Sequence, residues 1–368
     1  MTFDPTRRSL VGALALACGG AAAGAWAAPA APGAEWRDVL DTPAARSTLG
    51  ARSLINGLAR AGHRIVAVGQ RGHVLLSDDG GASWRQAEVP VSSDLVAVCF
   101  PTERQGWAVG HDGVILRSTD AGQSWTLQLD GRRTGPLMVD YYQRRVAAAQ
   151  GAEAQRAAAL VDEAKRFAAQ GAENPLLDVW FKDAQTGYAV GAFGLALRTD
   201  DGGARWEPLT HALDNPKSLH LYALRSVGED IFIVGEQGLL LQLDSATGRF
   251  AARETPYKGT LFGIVAGTRA LVAFGLRGSV VRSTDGGRNW SQVATGVQSG
   301  LTAGLRRSDG SIVLVSQAGH VLVSRDDGAS FQPLRVEQAM PAAAVAEAVG
   351  GALVIAGPRG AARPLPLS

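Results

Sequence analysis

The sequence predicts an all-β fold, a seven-bladed β-propeller of four-stranded blades, with an α-helical hairpin inserted between two blades. Three observations predict it: a strand–glycine unit that repeats about every 40 residues, a turn motif that follows it in most repeats, and one long interruption rich in helix formers.

The strand–glycine unit comes first. A valine-rich stretch ends in glycine, two variable residues follow, and a second glycine opens another strand. The copies are Gly69/Gly72, Gly110/Gly113, Gly191/Gly194, Gly235/Gly238, Gly275/Gly278, Ser316/Gly319 and Gly357/Gly360. Successive copies lie about 40 residues apart except for one double step, between Gly110 and Gly191, which is one repeat plus an insertion. Upstream of every copy lies another apolar segment, such as Leu95–Phe100 or Leu176–Phe181. Downstream comes Ser/Thr-x-Asp-x-Gly-x-x-aromatic, with Asp79 and Trp84, Asp120 and Trp125, Asp201 and Trp206, Asp285 and Trp290, and Asp326 and Phe331. A worn copy runs from Asp244 to Phe250. This motif suits a β-hairpin: the aspartate accepts backbone N–H groups inside the turn and the aromatic packs beneath it. Each repeat then holds four strands.

The last repeat stops before any Asp motif. Glu35-Trp36-Arg37-Asp38-Val39-Leu40 matches Ser83-Trp84-Arg85-Gln86-Ala87-Glu88, so the N-terminal strand is expected to become the outermost strand of the seventh blade and close the ring. Residues 28–368 then form the propeller. Residues 1–27 read as an export signal: Arg7 and Arg8 resemble a twin-arginine pair, Leu10–Ala23 is apolar but short, and Ala25-Trp26-Ala27 offers a cleavage site. A Sec leader is the other reading. A lipoprotein reading at Cys18 lacks the aliphatic residue three positions earlier, where Ala15 stands. Export to the periplasm is the expectation.

The insertion spans 136–174. Leu137–Gln150 and Ala152–Gln170 are rich in strong helix formers, and Leu160, Ala164, Phe167 and Ala168 share one face. A helical hairpin between blades two and three is predicted, standing over or beside the pore or packed on the rim.

Composition sets limits. A net charge of +2 without blocks of like charge gives no support to nucleic-acid binding. Cys99 is alone once the leader is removed, so no internal disulfide forms, and its apolar strand makes it a buried thiol rather than a nucleophile. The six histidines lack metal-site spacing, so no metal or cofactor is expected, and no Gly-x-Ser-x-Gly elbow occurs. The Asp-motif carboxylates fall in separate blades, too far apart for acid–base pairs, and are structural.

The variable pairs inside Gly-x-x-Gly should ring one mouth of the pore. Among them Arg71, His111, Asp112, Phe193, Glu236, Arg277 and Arg359 are the candidate partner-binding residues. Guanidinium groups there suit a carboxylate or a peptide backbone.

From about Trp36 onward, the Val-Gly-x-x-Gly units and the Asp motifs resemble those of the Asp-box, or BNR-type, propellers. Within these the chain is similar to the photosystem II stability/assembly factor family, in its non-photosynthetic bacterial branch. The resemblance implies a non-catalytic assembly factor that holds a membrane-protein segment or a periplasmic polypeptide; the oligomeric state is open, with a monomer favoured. Its partner would be an envelope complex, with a transporter as one candidate. The alternative is a sialidase-like glycoside-binding or glycoside-cleaving propeller, for which Tyr222 is the inner-strand tyrosine.

Overall fold

The computed structural model describes residues 37–336, 339–361 and 364–365. They form seven antiparallel sheets, each built in sequence order from an innermost strand outward. Sheet 1 holds Ile55–Ala61, Arg64–Gly69, Val74–Ser77 and Arg85–Gln86. The innermost strands of sheets 2 to 7 are Leu95–Cys99, Leu176–Phe181, Leu221–Val227, Leu261–Ala266, Leu301–Arg306 and Ala344–Glu347. Each innermost strand packs against the next, and Ala344–Glu347 packs against Ile55–Ala61, so the seven sheets close into a ring.

The second strands are the core. Arg64–Gly69, Gly106–Gly110 and their equivalents are buried along nearly their whole length, because each sheet is covered on both faces by its neighbours. That requirement explains why these strands read as continuous apolar runs rather than alternating ones. Between sheets 2 and 3 the Trp107 and Phe181 rings stack at 3.6 Å.

Sheet 7 has three strands among the described residues, ending with Gly360–Ala361 and a bridge from Leu365 to Leu353. The expected closing strand begins at Glu35 and Trp36, which lie outside the described residues, as do residues 362–363; of its six residues, Val39 and Leu40 fall in a turn. Asp38 accepts the Leu40 N–H at 2.9 Å, which bends Val39–Asp41 into a single 3-10 turn. Leu40 packs with Val89 and Val91, in the link between sheets 1 and 2, and with Leu95 of sheet 2, and Val39 accepts the Ser92 N–H. Sheet 7 also packs on sheet 1: Ile65 clusters with Ala346, Ala348 and Val354, and Trp84 packs against them.

Two helices, α1 (Gly131–Ala148) and α2 (Gly151–Ala169), lie between the outer strand of sheet 2 and the inner strand of sheet 3. α1 begins six residues before Leu137 and carries Pro136 inside it. Gly135 and Pro136 read as a break in the sequence. In the fold, Gly135 lets α2 approach so closely that a Cβ would fall onto the Ala168 backbone. Met138, Tyr142, Val161 and Ala164 seat the hairpin on Trp206, Leu195 and Leu129. α1 therefore runs from the His111–Gly113 turn out to the edge strand Glu207–Pro208, along the rim.

Candidate functional site

The Gly-x-x-Gly turns are built alike. The first glycine ends the second strand beside the start of the innermost one; at Gly69 a Cβ would run into the Leu54 carbonyl. The next residue donates its N–H to the carbonyl preceding the innermost strand: Gln70 to Leu54 (3.1 Å), His111 to Asp94 (2.8 Å), Ala192 to Pro175 (3.0 Å), Glu236 to His220 (3.1 Å), Leu276 to Thr260 (2.9 Å) and Gln317 to Gly300 (3.0 Å). The third residue is left-handed in five turns: Arg71, Asp112, Phe193, Gln237 and Arg277 have φ between 53° and 58°. This conformation costs an L-residue about 1–2 kcal/mol.

The turns join second to third strands and the Asp motifs join third to fourth, so they lie at opposite ends of the third strand. Arg71, His111, Phe193, Arg277 and Arg359 are exposed, while Asp112 and Glu236 are half-buried. Two acids on this face are already engaged. Asp94 accepts the Arg71 N–H at 2.7 Å, and Glu236 accepts the His220 N–H at 2.9 Å. His220 Nδ1 in turn accepts the Phe193 N–H at 2.8 Å. Among the described residues no carboxylate lies within ion-pair distance of Arg71, Arg277 or Arg359. The turn face thus presents unpaired cations beside Asp94 and Glu236, both occupied by main-chain donors, and beside the half-buried Asp112.

The sequence reading missed the pore wall. In sheets 1 to 6 the second residue of the innermost strand sits in a β-bulge: Asn56, Val96, Leu177, Tyr222, Phe262 and Thr302 have no partner across the ladder. A bulge re-aims its side chain, and all six line a central cavity of about 530 Å³. Each follows an apolar strand-opening residue (Ile55, Leu95, Leu176, Leu221, Leu261 or Leu301), a signal that aligned repeats carry. Further down the wall Asp178 is buried and paired with Arg225, and it accepts the Leu224 N–H at 2.8 Å. Burial raises the Asp178 carboxyl above its ordinary range against the pull of Arg225. Burial likewise pushes the Cys99 thiol up to about 12, with Asp178 adding to the effect. A thiol so placed is inert. Tyr222 stands edge-on to Phe262 at 5.4 Å.

The Asp motifs form one network, repeated. Asp79 accepts the Ser77 hydroxyl (2.8 Å), the Ser83 N–H (2.9 Å) and the Ser83 hydroxyl (2.5 Å), and Ser77 accepts the Gly81 N–H. Asp120, Asp201, Asp285 and Asp326 occupy equivalent turns. Trp125, Trp206 and Phe331 are buried beneath their turns, and Trp84 and Trp290 are half-buried. His73 and His320 each precede a third strand; His73 is buried, whereas His320 is exposed and bonds Ser316 at 2.9 Å. No helix of the described residues is long and apolar enough to cross a membrane.

Residues 48–147 and 159–337 match the family model described as photosynthesis system II assembly factor YCF48. The chain belongs to this family. The match to the YCF48 family covers most of the ring, nearly all of α1 and the second half of α2. Relatives named photosystem II assembly lipoprotein Ycf48 include one from Synechococcus sp. (strain CC9902), 30% identical over 159 residues, 42% of this chain and 47% of that protein. Another, from Trichormus variabilis (strain ATCC 29413 / PCC 7937), is 37% identical over 161 residues, 40% of this chain and 44% of that protein. The chain spans about half the length of these relatives. A solved structure described as YCF48 bound to D1 peptide matches 86% of this chain and 95% of that one, with a TM-score of 0.62 and 18% identity. The WD40 propeller domain of Doa1 matches 89% and 96%, with a TM-score of 0.61 and 11% identity. At such identities these two show the fold: an all-β propeller.

Proposed function

We propose that this protein is an exported, non-catalytic, seven-bladed scaffold that holds a segment of a membrane or envelope protein on the face carrying the Gly-x-x-Gly turns. The observation that carries this reading is the rigid turn face, with Arg71, Arg277 and Arg359 unpaired while Asp94 and Glu236 serve the backbone. Membership of the YCF48 family supports it, as does the description of one family structure as bound to a D1 peptide. The helical hairpin, packed on the rim at sheet 3, acts as a brace rather than a cover for the pore. The glycoside reading gains nothing from the pore wall, where Arg225 is paired with Asp178 and Tyr222 packs on Phe262.

A photo-crosslinking residue at position 71 or 277, placed in intact cells, tests the proposal. A specific envelope protein should be captured from both positions and not from position 288, which lies in the Asp-motif hairpin of sheet 5. Equal capture from all three, or none from 71 and 277, would reject it. The mass of the mature N-terminus decides between cleavage after Ala27 and lipidation at Cys18, which lies outside the described residues; the relatives' lipoprotein names give that measurement its point.

A further inference from the structure

The bulged residues are not uniform around the ring. Val96, Leu177, Tyr222 and Phe262, on four consecutive sheets, are apolar or aromatic, while Asn56 and Thr302 are polar. The polar pair is already engaged: Asn56 Nδ2 donates to the Leu95 carbonyl at 2.9 Å, and Thr302 Oγ1 donates to the Ala342 carbonyl at 2.7 Å. The apolar arc continues outward. Phe262 meets Tyr222 at 5.4 Å, Tyr222 meets His220 at 6.4 Å, and His220 meets Phe193 at 4.7 Å. Phe193 is 58% exposed and Leu276 is 37% exposed, both in turns above the same arc.

Phe193 is costly twice over. It holds a left-handed backbone that disfavours a bulky side chain, and it leaves an aromatic ring in water. Such an outlier points from structure to function. A sugar site would need convergent free hydrogen-bonding groups, but on the wall Asn56 and Thr302 are engaged by main-chain carbonyls and Asp178 and Arg225 by each other. The cations on the same face, Arg277 in the turn of sheet 5 and Arg71 and Arg359 beyond it, suit an acidic chain. An apolar anchor in a pocket beside charge pairing is how peptide segments are commonly held.

We propose that Val96, Leu177, Tyr222, Phe262 and Phe193 form a socket for one aromatic or branched apolar side chain of an acidic polypeptide segment. This deepens the proposed capture on the turn face and rests on it. The socket sets which segment is chosen, and the arginines set its charge.

The test uses the full mature chain and fluorescein-labelled twelve-residue peptides of Glu, Gly and Ser carrying one central Phe. Sister peptides carry Ser in place of the Phe, or Lys in place of each Glu. Anisotropy should show the Phe–Glu peptide binding at least tenfold more tightly than either sister. Phe193→Ser and Phe262→Ala should each remove most of that preference for Phe while leaving the preference for Glu. Phe193 is exposed, so its replacement keeps the fold, which far-ultraviolet circular dichroism confirms. If the Phe and Ser peptides bind alike, or the Phe preference survives both variants, or sialyllactose displaces the peptide, the socket is wrong. Failure of the underlying reading looks different: position 71 then captures nothing in cells. A socket failure alone leaves that capture intact and indifferent to Phe193→Ser.

Discussion

Replacing Trp125 and Trp206 by phenylalanine, one at a time, should have unequal effects. Both occupy the aromatic position of an Asp motif, and they are 4% and 5% exposed. Each meets a phenylalanine edge-on, Trp125 with Phe100 at 6.0 Å and Trp206 with Phe181 at 5.9 Å. The loss of ring area and contact is therefore nearly the same at both sites and cancels in the comparison. The indole N–H groups differ. Trp125 Nε1 donates to the Gly122 carbonyl at 3.0 Å, whereas Trp206 Nε1 has no acceptor in reach among the described residues. Losing the bond at 125 costs about 1 kcal/mol, and removing an unpaired buried donor at 206 returns about 1–3 kcal/mol. Trp125→Phe should thus be the more destabilising by roughly 2–4 kcal/mol, the sum of those two contributions. Urea unfolding followed by far-ultraviolet circular dichroism measures this, with equal slopes for the two variants confirming a common unfolded state. Equal losses at both sites would refute the reasoning, because the Trp206 N–H would then be satisfied in solution.

Acid should weaken the ring in a defined window. Donors from Ser83, Asn289 and Ser330 are the leading causes that hold the Asp79, Asp285 and Asp326 carboxyls down to about 2. Their folded values lie below the unfolded ones, so this stabilisation is present above about pH 4 and is lost as the pH falls towards 2. The urea midpoint should drop over that interval, and drop less when all three are changed to asparagine. Gly135→Ala should lower the melting temperature: the helix gains about 1 kcal/mol in propensity, but pushing α2 away from Ala168 costs about 1–3 kcal/mol. Glu347→Gln should cost about 1–3 kcal/mol, because Glu347 lies 3.3 Å from Arg307 and accepts the Ser308 N–H at 2.8 Å, while Asp309 still pairs with Arg307. Cys99 should resist a thiol reagent at pH 8 in the folded chain and react once unfolded in urea.

The ring of sheets was legible because its signals are local and repeated. Gly69 and its counterparts occupy places where backbone approaches backbone, and the Asp motif closes its own turn with its own side chains. Much of what escaped reading was set by distant partners. Gly135-Pro136 reads as a break until Ala168 explains the glycine, and Val39 and Leu40 read as strand until the Asp38 side chain bends them into a turn. The turn residues Arg71, Phe193 and Arg277 could be placed on one face from spacing alone. The bulges could not, since Asn56, Val96, Leu177, Tyr222, Phe262 and Thr302 share no residue type. Only the ladder register reveals that one geometric device places all six.

That register has an evolutionary corollary. A side chain outside the pairing scheme can be exchanged without disturbing the interstrand bonds on either side of it. The six wall positions therefore behave as an interchangeable lining on a fixed frame. Under the proposed socket, exchanges at those sites would change what the wall accepts while every sheet keeps its architecture.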